Sequence, residues 1–267
     1  MSGIYELPVD PGEVRLRAGK IGIWLFVASE IMFFMGILVS YVLFRAADPQ
    51  LFSAQAAVLN KVLGGINTLI LLGSSATIAM AVGAARRNKP GKAIACMGLT
   101  LVLAALFLGI KASEYWDKFC HYTLIARMSD GTSYVYDGGT HMGKGGFVLY
   151  GYRAPLPADN TWDIHLTSPQ QMREASGLTS PQTYQIPSSA ILEQMNYGPW
   201  KNIFFACYFT LTAVHAVHVI GGMIAIAILL LGTAIRKIQP AAIEYVAIYW
   251  YFVDVVWIFL FVLLYFA

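Results

Sequence analysis

Five stretches of this chain are so long and so apolar that a lipid bilayer is the one solvent that suits them all. Ile21 to Phe44, Val62 to Ala84, Ala93 to Lys111, Ile203 to Leu231 and Tyr245 to Phe266 each come close to or exceed the roughly 20 helical residues that cross a hydrocarbon core of about 30 Å. A backbone in lipid must satisfy its own N–H and C=O groups, so each stretch is expected to be an α-helix. Hydrophobic residues make up 57 % of the chain and charged ones only 12 %, too little charge for the surface of a soluble domain. The fold class that follows is all-α and transmembrane: a five-helix bundle.

Basic residues orient the bundle. Arg15, Arg17 and Lys20 precede the first span, Arg86, Arg87, Lys89 and Lys92 crowd the turn between the second and third, and Arg236 and Lys237 separate the fourth from the fifth. Positive residues stay on the cytoplasmic side, so the N-terminus is expected there and the C-terminus outside, in a bacterial-type cytoplasmic membrane. The first twenty residues are polar and contain no apolar h-region, so no cleavable signal peptide is read and the first span serves as its own insertion signal. The net charge of +3 sits in these short clusters rather than on a continuous basic surface, and no nucleic-acid partner is implied.

Between the third and fourth spans the composition turns to Gly, Ser, Thr, Asp, Pro and Tyr, in a segment too long for an ordinary connection. Ser133 to Tyr136 and Phe147 to Tyr152, bounded by Gly pairs, read as a β-hairpin, and Ser189 to Asn196 as one or two helical turns. A small extramembrane loop or β insertion is therefore expected between helices 3 and 4. The chain then divides into a cytoplasmic segment 1–20, three spans within 21–115, the outer-side insertion 116–199 and two spans within 200–267.

Two carboxylates are misplaced by ordinary standards. Of fifteen acidic residues, Glu30 and Asp254 alone read as deep in apolar spans, where an ionisable group costs several kcal/mol and normally faces other helices. At about 1.5 Å of rise per residue, each lies about 14 Å from the inner edge of its span. His215 and His218, on a helix of opposite direction, fall in the same layer, and their i, i+3 spacing places them on one helix face. Glu30 has two readings: a proton-linked carboxyl, or a hydrogen bond to His215 or His218 that locks helix packing. Asp254 has the same two, with Tyr249, Tyr251 and the neighbouring tryptophans as donors.

Metal and redox readings find little to build on. Cys96, Cys120 and Cys207 form no CxxC or haem-attachment motif, and Cys96 and Cys207 read as membrane-core residues. His215 and His218 supply two ligands from one helix, no other span completes a tetrahedral set, and a bis-histidine haem lacks a second helix. His121, His141 and His165 read as exposed or loop-packing. Met32 to Met35 reads as lipid contact and core, while Gly73 to Thr77 and Gly221-Gly222 are small-residue faces that permit close helix approach.

Five blocks, one on or beside each span, carry a resemblance: Trp24 to Phe34, Ile66 to Ser75, Lys111-Ala-Ser-Glu-Tyr-Trp116, Thr212 to Gly221 and Glu244 to Trp257. In this order they resemble subunit III of the haem-copper oxidases, as found in cytochrome c oxidase. The resemblance implies a subunit that binds no redox cofactor itself, packs on subunit I, which with subunit II holds the haem and copper, and supports oxygen reduction to water coupled to proton translocation. It implies structural phospholipid, a sustaining role in proton uptake and protection from turnover-linked inactivation.

Residue by residue, Glu30 matches the family's intramembrane carboxyl, His215 and His218 its fourth-helix histidines, Glu244 the acidic residue before the last helix, and Asp254 and Trp257 that helix's signature. Glu114, Glu244, Trp250 and Trp257 are candidates for lipid or subunit contact. The chain departs from seven-helix members in lacking their first two helices, in carrying Tyr251 where many have His, and in the segment 116–199, which lies outside the resemblance and is a candidate dock for other respiratory subunits or cytochrome c. Subunit III of a quinol oxidase or nitric oxide reductase would carry the same motifs. A proton-coupled transporter relaying through Glu30 and His215 would call for broken helices or repeat symmetry, and neither is seen.

Overall fold

The computed structural model describes residues 11–143, 146–157, 162–235 and 238–266, of which 11–16 and 142–143 are described by backbone alone. Arg236 and Lys237, the segment 1–10 and the side chain of Arg15 lie outside the described residues. The protein is mostly helical: α1 (Pro11–Ala47), α2 (Pro49–Ala56), α3 (Lys61–Arg86), α4 (Pro90–Cys120), α5 (Pro169–Ser176), α6 (Ile203–Ile235) and α7 (Pro240–Tyr265). The five long helices, α1, α3, α4, α6 and α7, are each apolar and long enough to cross a membrane. Five strands accompany them: β1 (His121–Arg127), β2 (Ser133–Gly143), β3 (Gly146–Pro155), β4 (Gln182–Pro187) and β5 (Ile191–Asn196).

Helix ends follow local chemistry. Asp48 accepts the N–H of Leu51 at the start of α2, Asn60 accepts that of Leu63 at the start of α3, and Ser168 and Gln171 cap α5 reciprocally, so N–H groups with no intrahelical acceptor find one in a side chain. The turn from α3 into α4 passes through Asn88 at φ +51°, a left-handed conformation that Asn tolerates, and Pro90 then opens α4 where its missing N–H costs nothing.

The chain forms two compact units. The first comprises Met1–Val39, Thr68–Phe107 and His215–Phe259, and its described residues belong to the long helices and the turns that join them. Here hydroxyls of α3 run along α7: Thr68 Oγ1 accepts from Trp257 Nε1 at 3.1 Å, Ser74 Oγ accepts from Trp250 Nε1 at 2.9 Å, and Ser75 Oγ donates to Asp254 Oδ2. Thr77 meets Thr100 of α4 at 2.7 Å. Gly222 of α6 lies so close to α7 that a Cβ there would sit 2.8 Å from the Trp250 ring, whereas at Gly221 it would have 3.8 Å to Tyr249. The small-residue faces read from the sequence thus carry close approach, and on α3 they carry hydrogen bonds as well. In the Met32 to Met35 stripe, Phe34 is buried and its three neighbours are exposed, as lipid contact and core require.

The second unit comprises Ser40–Asn67, Leu108–Val214 and Leu260–Ala267 and contains the sheet, ordered β4-β3-β2-β1-β5 with every pair antiparallel. Its two edge strands are joined only by a 3-10 turn at Ser188–Ala190. Four residue steps span at most about 14 Å, while the edges of a flat five-stranded sheet lie about 19 Å apart, so the sheet must curl. Its concave core takes Leu124, Tyr136, Leu149 and Ile186, with Ile191 packed against them, one residue from each strand. Ile125, Val135 and Ala154 face the other way onto Ile164 and Met172, the latter on α5.

Several expectations are corrected here. The expected hairpin is present as β2 and β3, but Ile191 to Asn196 is a strand, not helical turns: its local preference yields to the ladder it makes with β1. The third span does not end as a helix at Lys111. It continues to Cys120, because a Lys111–Glu114 ion pair one turn apart and helix-forming residues sustain it after apolarity ends. The short helices α2 and α5 were not expected.

Candidate functional site

The polar residues singled out in the spans separate into distinct arrangements. In the first unit Glu30 Oε2 on α1 lies 3.0 Å from His218 Nε2 on α6, both side chains half-buried. Phe34 lays its ring edge-on to His218 at 5.0 Å, and Tyr249 OH donates to the His218 carbonyl, fixing the helix as well as the ring. This pair is one of the two bonds expected for Glu30. The other is absent: His215 is fully buried between the rings of Phe107 and Trp257, 5.8 and 5.2 Å away. An i, i+3 pair is offset by about 60° around a helix, enough to aim its members at different neighbours.

Asp254 is 3 % exposed, with Oδ2 taken by Ser75 and no hydrogen-bond partner for Oδ1 among the described residues. The donors expected for it serve elsewhere: Trp250 and Trp257 bond Ser74 and Thr68, and Tyr249 bonds the His218 carbonyl. Trp250 and Trp257 are buried against this chain's own helices. Glu244 receives Arg86 at 2.9 Å and Lys20 at 3.7 Å, so one carboxylate gathers cations from α1 and α3.

The second unit holds two further buried polar clusters. Glu114, 6 % exposed, accepts Lys111 Nζ at 2.7 Å and both carboxylate oxygens take Tyr265 OH. Lys111 also donates to Tyr208 OH at 2.9 Å, so each ion is hydrogen-bonded as a buried pair must be. The LysAlaSerGlu spacing was the available signal. Asp137 on β2 is buried completely, accepting Thr123 Oγ1 at 2.7 Å, Tyr197 OH at 3.0 Å and His121 Nε2 at 3.1 Å. Burial pushes its carboxyl up, but His121, Lys201 and Thr123 outweigh it and hold the carboxyl below its ordinary value.

Lys201 is buried too, its Nζ 3.9 Å from the Tyr197 ring centre and bonded to Thr123 and the Ile164 carbonyl. Burial lowers its pKa to about 8 against the pull of Asp137 and Asp163. No spacing in the sequence announces this cluster, whose members lie on different strands and loops. Of the other histidines, His141 is exposed on β2 and His165 packs by Nδ1 on the Lys201 carbonyl. Cys96 is buried in α4 and Cys207 half-buried in α6. Among the described residues no group of three or more His, Cys, Asp or Glu side chains comes together as a metal site would require.

A model of the family described as cytochrome c oxidase subunit III matches residues 13–144 and 194–267. The chain belongs to this family. The match takes in segments of all five long helices and runs on through β1 and β2, farther into 116–199 than the motifs alone indicated. A probable cytochrome c oxidase subunit 3 of Nocardia farcinica is 27 % identical over 251 residues, 93 % of this chain and 87 % of that protein. The cytochrome c oxidase subunit 3 of Synechocystis is 24 % identical, covering 96 % of this chain and 80 % of that protein. That of Bacillus subtilis is 25 % identical, covering 97 % and 91 %. The chain is therefore an integral membrane subunit of an oxidase complex, and Glu30, His218 and Asp254 sit within the matched helices of the family.

Proposed function

We propose that this chain is the accessory subunit III of a haem-copper terminal oxidase, performing no redox step itself and supporting the reduction of oxygen to water with coupled proton translocation. The observation that carries the reading is the family match across all five long helices. Haem and copper reside in subunits I and II, and subunit I is the main contact. The relatives are called cytochrome c oxidase subunits, which favours cytochrome c over quinol as the donor.

The half-buried Glu30–His218 pair is the proton-linked element of this reading. A carboxylate and an imidazole at hydrogen-bond distance can share a proton without leaving an isolated charge in lipid. The cationic turn around Arg86 supports a cytoplasmic placement of that end, with the N-terminal segment on the same side and the sheet outside. The apolar groove along α1 and α7, lined by Trp24, Phe34, Tyr251 and Phe259 among others and about 450 Å³ in volume, suits the acyl chain of a structural phospholipid.

Affinity purification of the chain from native membranes in mild detergent tests the reading, with an optical redox spectrum and mass spectrometry of the accompanying proteins. Haem and the large oxidase subunits are expected. A colourless, solitary protein would overturn it. In the complex Glu30→Ala should leave haem spectra intact while shortening the time over which turnover is sustained, and loss of the haems would contradict an accessory role.

A further inference from the structure

In the second unit, large exposed aromatics stand at the ends of the long helices. Trp116 on α4 is 73 % exposed, Trp200 just before α6 is 58 % exposed, and Phe266 at the end of α7 is 54 % exposed. Trp200 is pinned in place. Its ring packs on Phe119 of α4 with centroids 5.9 Å apart, its Nε1 donates to Asn196 Oδ1 at 2.6 Å, and Asn196 Nδ2 donates to the Phe119 carbonyl at 3.4 Å. Gly198 leaves room for this fold-back, since a Cβ there would sit 2.6 Å from the indole. A large apolar ring fixed so firmly and still turned outward is built to meet a surface that is itself part apolar.

The level of these rings along their helices says which surface that is. At about 1.5 Å per residue, α4 rises about 39 Å from Pro90 to Trp116, α7 about 39 Å from Pro240 to Phe266, and α3 about 38 Å between Arg86 and Lys61. A bilayer with its headgroup layers is about 40–45 Å thick, so helices whose Arg86 end lies in one headgroup layer bring these residues to the other. The same face of α4 carries the exposed Val102 and Leu106 before Trp116, and the polar Asp117 and the sheet follow it. Trp116 thus marks the change from apolar to polar, the level at which a ring with one apolar side and one wet side is most stable. Lys61 holds its ammonium 5.4 Å from the Phe266 ring centre, as a lysine does when its stem covers apolar surface and its head reaches water.

We propose that Trp116 and Trp200, together with the Lys61–Phe266 pair, seat this unit in the phospholipid headgroup layer at the membrane face opposite the Arg86 turn. The sheet then rests on the lipid surface through the junction of α4, β5 and α6, and Gly198 sets the angle at which Trp200 enters it. The proposal rests on the long helices crossing a membrane and not on which oxidase they serve. The test places the photoreactive residue p-benzoylphenylalanine at position 116, 200 or 102, one at a time, irradiates native membranes that hold the whole complex, and identifies the adducts by mass spectrometry.

Phospholipid adducts are expected from positions 116 and 200, with fragmentation placing the new bond on the glycerol backbone or the first acyl carbons. The probe at position 102, in mid-span, should bond farther along the acyl chain. Gly198→Ala should abolish the lipid adduct from position 200 and leave that from position 116 unchanged. Adducts from 116 or 200 to another protein chain would mean that a subunit covers these rings, and the absence of adducts would mean that water does; either result overturns the proposal, as do bonds as deep in the acyl chain as those from position 102.

Discussion

His218 meets Glu30 at 3.0 Å, while His215, three residues earlier on the same helix, is fully buried against Phe107 and Trp257. The two histidines therefore do different work. One joins α1 to α6 through a polar bond, and the other is a ring among rings.

A double-mutant cycle separates these roles. Glu30→Gln and His218→Ala, alone and together, should show a coupling of about 1 kcal/mol in unfolding from mixed micelles, within the range measured for interhelical hydrogen bonds in membranes. The same cycle with Glu30→Gln and His215→Ala should show coupling near zero. His215→Ala alone should cost more than His218→Ala, because it opens a cavity between two aromatic rings.

Ser75 and Asp254 give a prediction of opposite character. Asp254 is buried and Ser75 supplies the hydrogen bond to its Oδ2, so Ser75→Ala should cost about 1 to 3 kcal/mol by leaving a buried carboxyl unsatisfied. Replacing both partners removes the need for the bond. Ser75→Ala with Asp254→Leu should be at least as stable as Ser75→Ala alone, measured by thermal unfolding in detergent. A double variant less stable than Ser75→Ala would show that Asp254 has a further partner in the assembled complex.

The five spans were legible because apolar length is written locally, and a helix buries it without reference to distant residues. Glu30 was legible as an anomaly, but its partner was not uniquely so, since spacing places His215 and His218 on nearly one face. The assignment of tryptophan donors to Asp254 failed for a related reason. Trp250 and Trp257 share the α3-facing side of α7 with Asp254 but spend their N–H groups on Ser74 and Thr68, and the real donor, Ser75, stands across the helix seam on α3. The Asp137–Lys201 cluster was illegible: its charges are 64 positions apart, and only the pairing of β1 with β2 and β5 brings Thr123, Asp137 and Tyr197 together.

That cluster makes the stability of the sheet depend on pH. The folded state lowers the Lys201 pKa from 10.5 to about 8, so between those values the unfolded chain holds a proton that the folded one has released. Stability should rise with pH across that window by as much as about 3 kcal/mol. Below pH 8 both states are protonated and the slope vanishes. Asp137 acts at the acid end: its folded pKa is lowered, so its contribution is present above the ordinary carboxylate value and fades as pH falls through the folded one. Hydrogen exchange of β1 and β5 amides, corrected for intrinsic rates, should show the alkaline rise in the native chain and its absence in Lys201→Met.

Two neighbouring glycines of β2 should respond in opposite ways to the same substitution. Gly138 pairs with Gly151 across the ladder, and a Cβ on Gly138 would lie 2.7 Å from the Gly151 Cα, backbone against backbone with no flexible side chain to yield. Gly138→Ala should loosen the β2–β3 pairing by about 1 to 3 kcal/mol, as overpacking does. At Gly139 a Cβ would meet nothing within 4 Å, so Gly139→Ala should be neutral or slightly stabilising through the lower entropy of the unfolded chain. Limited proteolysis across 121–196 reads the difference, and resistance of both variants to alkaline carbonate extraction would show that the helices still insert. Equal protease sensitivity of the two variants would mean that the β2–β3 ladder absorbs the extra carbon by moving apart, and that the close approach of Gly138 to Gly151 is not what holds the curled sheet together.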